Sequence, residues 1–419
     1  MKVVVQKFGG TCVESEPNQL LSAERIMEAL DRGLHPVVVV SAMGREGQPY
    51  STVELVKTVR EIDPQIQPRE LDLLMSCGEI ISTVAMATLL RTKGYDTIAF
   101  SGGQAGLITD DVFAQARIVR IEPEPLLRAL QDGQVVFVAG FQGITKDHQV
   151  TTLGAGGSDY TAVALTRVIQ GTPQLPFGER LEVVPLQIFK EVDGVLTANP
   201  GSLESDVSAT TIASLSYDEC VWMSRLGAEV LQQQAAEMAR EHQIPFVVRN
   251  FRDAGVPGTQ VGAASAAGRD DRATAIADQA RLLVFDVDAR SPRLLLQIAE
   301  RLGRERLTHF QLTADDAVAR FAVRPLKYRD VREILGQVLA SRGIHSDINV
   351  GDFALVSVVG EALHQRLEVW AEETDQVLAK GGIEVHGTSR DEISLSCLVP
   401  EAQRKKAVTL LHQALVQQL

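Results

Sequence analysis

The chain predicts an α/β domain, a largely parallel sheet between helices, followed by two small α+β modules. Three observations carry that prediction. Through residue 262, short β-rich runs alternate with longer helix-like stretches, a pattern of crossover units spaced at roughly 30 residues. Between 262 and 272 the sequence turns to Gly, Ala, Ser and charge, a composition suited to an exposed linker. Beyond it the order β-α-β-β-α occurs twice.

In chain order, strand 3–7 is followed by helix 18–32, strand 36–41 by helix 51–61, and a long helical stretch 70–93 by strand 97–100. Strand 135–140, helix 158–170 and strand 183–189 continue the alternation, which closes on helix 217–242 and strand 246–249. The expected limits are therefore 1–262 for the α/β domain, 263–280 for a linker, 281–345 for the first module and 346–419 for the second, with interleaving of the two left open. The first module reads as strand 281–288, helix 293–304, strands 307–312 and 317–323, and helix 328–341. The second reads as strand 353–359, helix 367–380, strands 383–386 and 393–398, and helix 401–418. Such units place their helices on one face of an antiparallel sheet. The run 353–359 is too apolar for a strand with one wet face, which points to a homo-oligomer, a dimer or larger.

Composition narrows the partners. Hydrophobic residues make up 45% of the 419 and charged ones 23%, an ordinary globular balance. The apolar runs 36–40 and 135–139 are far short of the ~20 residues of a membrane span, so no membrane partner is expected. The amino terminus shows no apolar h-region, and the four cysteines form no CxxC pair, so a reducing cytoplasm is expected, with neither a disulfide framework nor a zinc site. The eight histidines show no paired ligand spacing, and no metal-binding residues are assigned. A net charge of −13, from 41 basic and 54 acidic residues, with the basic residues dispersed, argues against nucleic acid and for a small-molecule partner.

Glycine-rich elements follow several strands. Lys7-Phe8-Gly9-Gly10-Thr11 lets backbone N–H groups approach an anion beside a lysine; without the GxxxxGK[ST] spacing it is no Walker A loop, and a plain tight turn remains an alternative. The segment 150–159 (VTTLGAGGSD) sets hydroxyls and glycines before a helix whose Ser158-Asp159 start also suits an N-cap. Phe189–Pro200 contains an Asp-Gly turn at Asp193-Gly194. Glu79 lies in an otherwise apolar helical stretch, where a buried carboxylate needs a partner, a cation or a substrate amine.

Taken in order, these elements resemble the aspartokinase family, of the amino-acid kinase fold. Lys7–Thr11 matches its KFGGTS start, Val40–Gly44 its VSAMG, Ser76–Glu79 its SxGE, Gln104–Thr109 its QAGI-T, Gly140–Gly143 its GFxG, and 151–159 its TTLGRGGSD at all but one place. The two C-terminal units resemble the family's tandem ferredoxin-like βαββαβ ACT domains. The resemblance implies transfer of phosphate from ATP, carried with Mg2+, to the β-carboxylate of L-aspartate. Lys7 would hold the transferred phosphoryl group, and Asp159, also implied to be catalytic, would with Glu79 hold or orient the substrate's ammonium group. Gly9, Gly10, Thr11, Glu191, Asp193 and Gly194 would form the ATP side, and Ser41, Thr52, Glu79, Gly157 and Ser158 the substrate side. An amino-acid effector at the ACT units is implied in the same way.

Three family cations are replaced. The arginine of TTLGRGGSD is Ala155, the arginine that ends TDVDGVYTADPR is Gly201, and a lysine of KVLHPRAVE is Glu229. The residues therefore leave open a working aspartokinase, a silent paralogue serving as regulatory or assembly partner, and a same-fold kinase acting on another carboxylate.

Overall fold

The strand Lys2–Phe8 (KVVVQKF) buries every residue after its first, and only a position between two parallel neighbours, covered on both faces, gives such a run its place. In the computed structural model it pairs in parallel with Leu34–Val40 on one side and Leu186–Lys190 on the other. The structure describes residues 1–176, 178–228, 230–263, 272–314, 317–326 and 329–417. They form two compact units. The first comprises Met1–Val195, Ala213–Tyr217 and a stretch that begins at Leu231; the second comprises Leu196–Ile212, Asp218–Val230 and the C-terminal part of the chain.

The main sheet of the first unit runs in the order Ser214–Ser216, Thr259–Gly262, Phe246–Asn250, Leu186–Lys190, Lys2–Phe8, Leu34–Val40, Val135–Ala139, Thr97–Phe100. Its pairings are parallel except between Phe246–Asn250 and Thr259–Gly262. One face carries a core of Phe8, Ile26, Val40, Met86, Phe137 and Phe189, in which the Phe8 and Phe189 rings stack at 4.7 Å. A second sheet joins Ile118–Ile121, Leu107–Thr109, Gln142–Ile144 and Val150–Thr152. Sequence patterning does not predict it, because three- and four-residue strands are too short to show alternation.

Helix Pro68–Thr92 is long and apolar enough to cross a membrane by length and composition, yet its buried face carries Asp72, Ser76, Glu79, Ser82 and Thr83, a core helix with a polar stripe. The single helix expected over 217–242 is instead two, Tyr217–Arg225 and Gln233–Glu241. Gly227 lies between them at φ +106°, and a Cβ there would stand 2.3 Å from the Asp278 carbonyl oxygen, so the chain turns where only glycine fits.

In the second unit six antiparallel strands close on themselves, in the order Ala275–Asp288, Val318–Val323, His309–Thr313, Thr388–Asp391, Ser394–Pro400, Asn349–Val359. The first begins inside the stretch read as linker, of which 264–271 lie outside the described residues. It is also shared. Ala275–Gln279 pairs with Leu355–Val359, the register breaks between Gln279 and Leu282, and Leu283–Asp288 pairs with Val318–Val323. Each half serves its own core: Phe285, Ile298, Phe321 and Leu335 in one, Ile276, Trp370, Leu378 and Leu411 in the other, together with Ala198 and Leu203. The strand expected at 383–386 lies instead at Thr388–Asp391. Residues 354–359 are buried on both faces within this unit, so their apolar character is accounted for without a second chain.

Phe321 is fully buried and stacks on Phe285 at 5.4 Å. Phe321→Ala is therefore expected to cost about 3–5 kcal/mol, read as a lowered denaturant midpoint by circular dichroism.

Candidate active site

The carboxyl ends of the parallel strands, where open α/β sheets place their ligands, bring most of the candidate residues together. Lys7, near the end of its strand, is buried and sets its Nζ 2.7 Å from Asp159 Oδ1. Asp159 lies in the first turn of helix Gly157–Gln170, which starts from Gly156 in the left-handed conformation. Ser158 is buried against Gly140, where a Cβ would approach its Oγ to 2.7 Å. Gly157 is held as closely: a Cβ would stand 2.7 Å from Leu153 Cβ.

After Lys7 the chain makes a 3-10 turn, Gly10–Cys12. A Cβ on Gly10 would come within 2.8 Å of the Ala42 carbonyl oxygen, and one on Gly9 within 3.6 Å of Lys7 Nζ. These glycines keep a backbone cradle open beside the lysine, of the kind phosphate oxygens occupy. Asn18 Nδ2 donates to the Thr11 carbonyl at 2.8 Å and fixes the turn from behind. Cys12 is buried, its thiol pushed up to about 11 chiefly by that burial, and donates to the Phe189 carbonyl. It is no nucleophile.

The loop after strand Leu34–Val40 joins this cradle to Glu79. Ser41 N–H donates to the Phe8 carbonyl at 3.1 Å, Ser82 Oγ donates to the Ser41 carbonyl at 2.6 Å, and Ala42 N–H donates to Glu79 Oε1 at 3.0 Å. Glu79 Oε2 is buried and meets no partner among the described residues. Burial dominates its proton affinity and pushes the carboxyl up to about 8. Thr52, half-buried, opens helix Thr52–Arg60, and the segment leading to that helix packs on Gly78, next to Glu79.

Just after strand Leu186–Lys190, Glu191 pairs with Arg45, and Asp193 Oδ1 accepts from Asn250 Nδ2 at 2.7 Å. Gly194 is buried with φ +151°. Ala155 is exposed at the tip of the turn before helix Gly157–Gln170. Gly201 is exposed on the turn Pro200–Ser202, in the segment Leu196–Ile212 of the second unit. Glu229 lies outside the described residues.

One residue of this region is absent from the sequence reading. Asp72 is fully buried and accepts from Ala114 N–H at 2.9 Å, from Thr152 N–H at 2.8 Å and from Thr152 Oγ1 at 2.7 Å. Burial pushes it up to about 6 against these donors, which hold it down. The signal available in the sequence was an acid seven residues before Glu79, on the same helical face.

Comparison with known proteins follows the same lines. Residues 2–250 match the amino acid kinase family, and residues 356–415 match an ACT domain. An aspartokinase of Bacillus sp. (strain MGA3) is 36% identical over 425 residues, spanning 99% of this chain and 97% of its own. Aspartokinase 2 of Bacillus subtilis is 33% identical over 421 residues, 99% of this chain and 98% of its own. Among solved structures, E. coli aspartokinase III in complex with aspartate and ADP superposes with a TM-score of 0.79 over 99% of this chain and 100% of that one. At 22% identity that likeness is one of fold.

Proposed function

The chain belongs to the aspartokinase family, and from that premise we propose that its site transfers the γ-phosphoryl group of ATP to the β-carboxylate of L-aspartate. The product is 4-phospho-L-aspartate, and the step is the first in the pathway to the aspartate-family amino acids. The carrying observation is the buried Lys7–Asp159 pair at 2.7 Å beside the open Gly9-Gly10 cradle, with an unpartnered carboxylate oxygen on Glu79.

These residues suit the two ligands. ATP supplies the electrophilic phosphorus, and magnesium bound to it offsets the phosphate charge. The Gly9, Gly10 and Thr11 backbone, with Glu191, Asp193 and Gly194 opposite, lines the nucleotide side. Lys7 is placed to neutralise charge on the transferred group, and Asp159 holds the ammonium in position until then. Glu79 takes the substrate's α-ammonium, with Ser41, Thr52, Gly157 and Ser158 around it. A β-carboxylate oxygen forms the new bond to phosphorus as the bond to the ADP oxygen breaks, and ADP leaves with that electron pair. The carboxylate is already ionised at neutral pH, so no general base is needed.

The ACT match supports an amino-acid effector in the second unit. The reading also includes a cytoplasmic location and a homo-oligomer; sedimentation at micromolar concentration tests the latter, and a monomer there overturns it.

The test is hydroxylamine trapping of the acyl phosphate with MgATP and a panel of L-aspartate, L-glutamate and related acids. Product with aspartate supports the reading; turnover only with another acid overturns the substrate, and no turnover with undetectable ATP binding overturns the enzyme. Ala155 gives a graded companion. A guanidinium on this exposed turn adds charge-assisted bonds to a substrate carboxylate, so Ala155→Arg is expected to lower KM for aspartate about tenfold with kcat nearly unchanged.

A further inference from the structure

Helix Pro68–Thr92 carries two buried carboxylates two turns apart on one face, Asp72 and Glu79. Glu79 leaves an oxygen unpartnered; Asp72 leaves none. Every hydrogen bond Asp72 accepts comes from two places. One is Ala114, held in the left-handed conformation at φ +66°. The other is Thr152, the last residue of strand Val150–Thr152. The turn that begins one residue later carries Gly154, Ala155 and Gly156 into the helix bearing Ser158 and Asp159. No cation accompanies Asp72 in any ion pair among the described residues, so its backbone and hydroxyl donors alone offset the cost of its burial.

We infer that Asp72 is a positioning residue for phosphoryl transfer: it clamps the strand end from which the Ser158-Asp159 turn springs to the helix that carries Glu79. This rests on the aspartate kinase reading above. The two halves of the substrate side come from segments far apart in the chain. A rigid helix carrying both the clamp and Glu79 fixes their separation, whereas a loop held only by its own bonds leaves it free to vary. Local contacts support the same frame. Ala116 N–H donates to the Thr152 carbonyl at 2.9 Å and Leu153 N–H to the Phe141 carbonyl at 2.8 Å, so Thr152 is fixed on both sides, while the turn beyond it is closed by its own bonds, Gly157 N–H to the Gly154 carbonyl and Asp159 N–H to the Gly156 carbonyl, both at 2.9 Å. A catalytic placement that tolerates little error, about 1 Å in position for a large loss of rate, gives such a clamp its value.

Asp72→Leu keeps roughly the size and removes both acceptor oxygens of the clamp. With no oxygen at this position, the Ala114 N–H, the Thr152 N–H and the Thr152 hydroxyl all lose their acceptor. The expected result is a KM for aspartate raised at least tenfold and a lowered kcat, with the Kd for ATP within twofold of wild type. Thr152→Val, which deletes only the hydroxyl bond, is expected to move KM in the same direction by about threefold, and Thr152→Ser to restore it. A merely structural aspartate lowers kcat with the folded fraction and leaves KM unchanged; that pattern overturns the inference.

A second readout does not depend on the reaction. Amide hydrogen exchange over residues 152–157 is expected to quicken at least tenfold in folded Asp72→Leu relative to the rest of the first unit. Unchanged exchange there overturns the clamp even if activity falls. Quickened exchange in a protein whose wild type phosphorylates no aspartate keeps the clamp and removes the kinase reading instead.

Discussion

Lys7→Ala lowers the rate of acyl-phosphate formation by about a thousandfold or more, because charge developing on a transferred phosphoryl group loses a preorganised cation in a water-poor site. The same substitution strips Asp159 of the Nζ that stands 2.7 Å away. A carboxylate this deeply buried, left without its cation, costs about 3–5 kcal/mol of stability. The two effects separate in a double variant. Lys7→Ala with Asp159→Ala recovers most of the lost stability, since no uncompensated charge remains, and recovers none of the activity. Hydroxamate assays and chemical denaturation on the single and double variants read both quantities. Activity within tenfold of wild type in Lys7→Ala removes the lysine from the chemistry.

Glu79→Gln produces opposite changes in stability and binding. Burial raises the Glu79 carboxyl from 4.5 to about 8, so the folded state prefers the protonated form. The sign follows from linkage: whatever this group contributes is fully present below about pH 4.5 and is lost as pH rises through about 8. Each unit of such a shift corresponds to about 1.4 kcal/mol, so the alkaline penalty amounts to a few kcal/mol. Glutamine carries no charge to bury. Glu79→Gln should therefore match wild type in Tm near pH 4.5, exceed it increasingly from pH 5 to 8, and hold a constant advantage above that. Substrate binding shows the reverse. The α-ammonium of aspartate needs the ionised form, so KM in wild type falls by up to about tenfold per pH unit as pH rises toward 8. In Glu79→Gln, KM rises by about a hundredfold or more and loses that dependence. A flat KM profile in wild type between pH 6 and 8 contradicts the assignment of Glu79 to the ammonium.

The sequence made the short-range part of this site legible and left the long-range part hidden. Lys7, Gly9 and Gly10 announce themselves because a strand, a lysine and two glycines are contiguous, and the requirement for small residues there is local: the Ala42 carbonyl blocks a side chain on Gly10. Glu79 is legible as a charge in an apolar helix. Asp72 is not, because its partners Ala114 and Thr152 lie 42 and 80 residues away, and an acid near a helix start reads as an ordinary first-turn residue. The main parallel sheet follows from alternation of long runs, whereas the four-stranded sheet that delivers Thr152 is built of strands three or four residues long. The stretch 275–280 shows the same limit: Ala275-Ile276-Ala277-Asp278-Gln279 has the composition of a continuing linker, and only its pairing with residues far ahead makes it a strand.

That pairing sets an order of events during synthesis. Ala275–Gln279 leaves the ribosome with no mate, and the partner Leu355–Val359 follows roughly 75 residues later, about 4–15 s at ordinary translation speeds. Ala198 and Leu203 wait longer still, because the core that covers them is made by residues 273–416. For that interval the nascent protein carries an open strand edge and bare apolar side chains, the features that recruit chaperones and seed aggregates. A chain terminated near residue 345 never passes that stage: it keeps half a strand whose complement is not encoded. The segment from Leu355 onward thus acts as a built-in completion check, joining the fate of a premature stop to quality control well before any question of regulation arises.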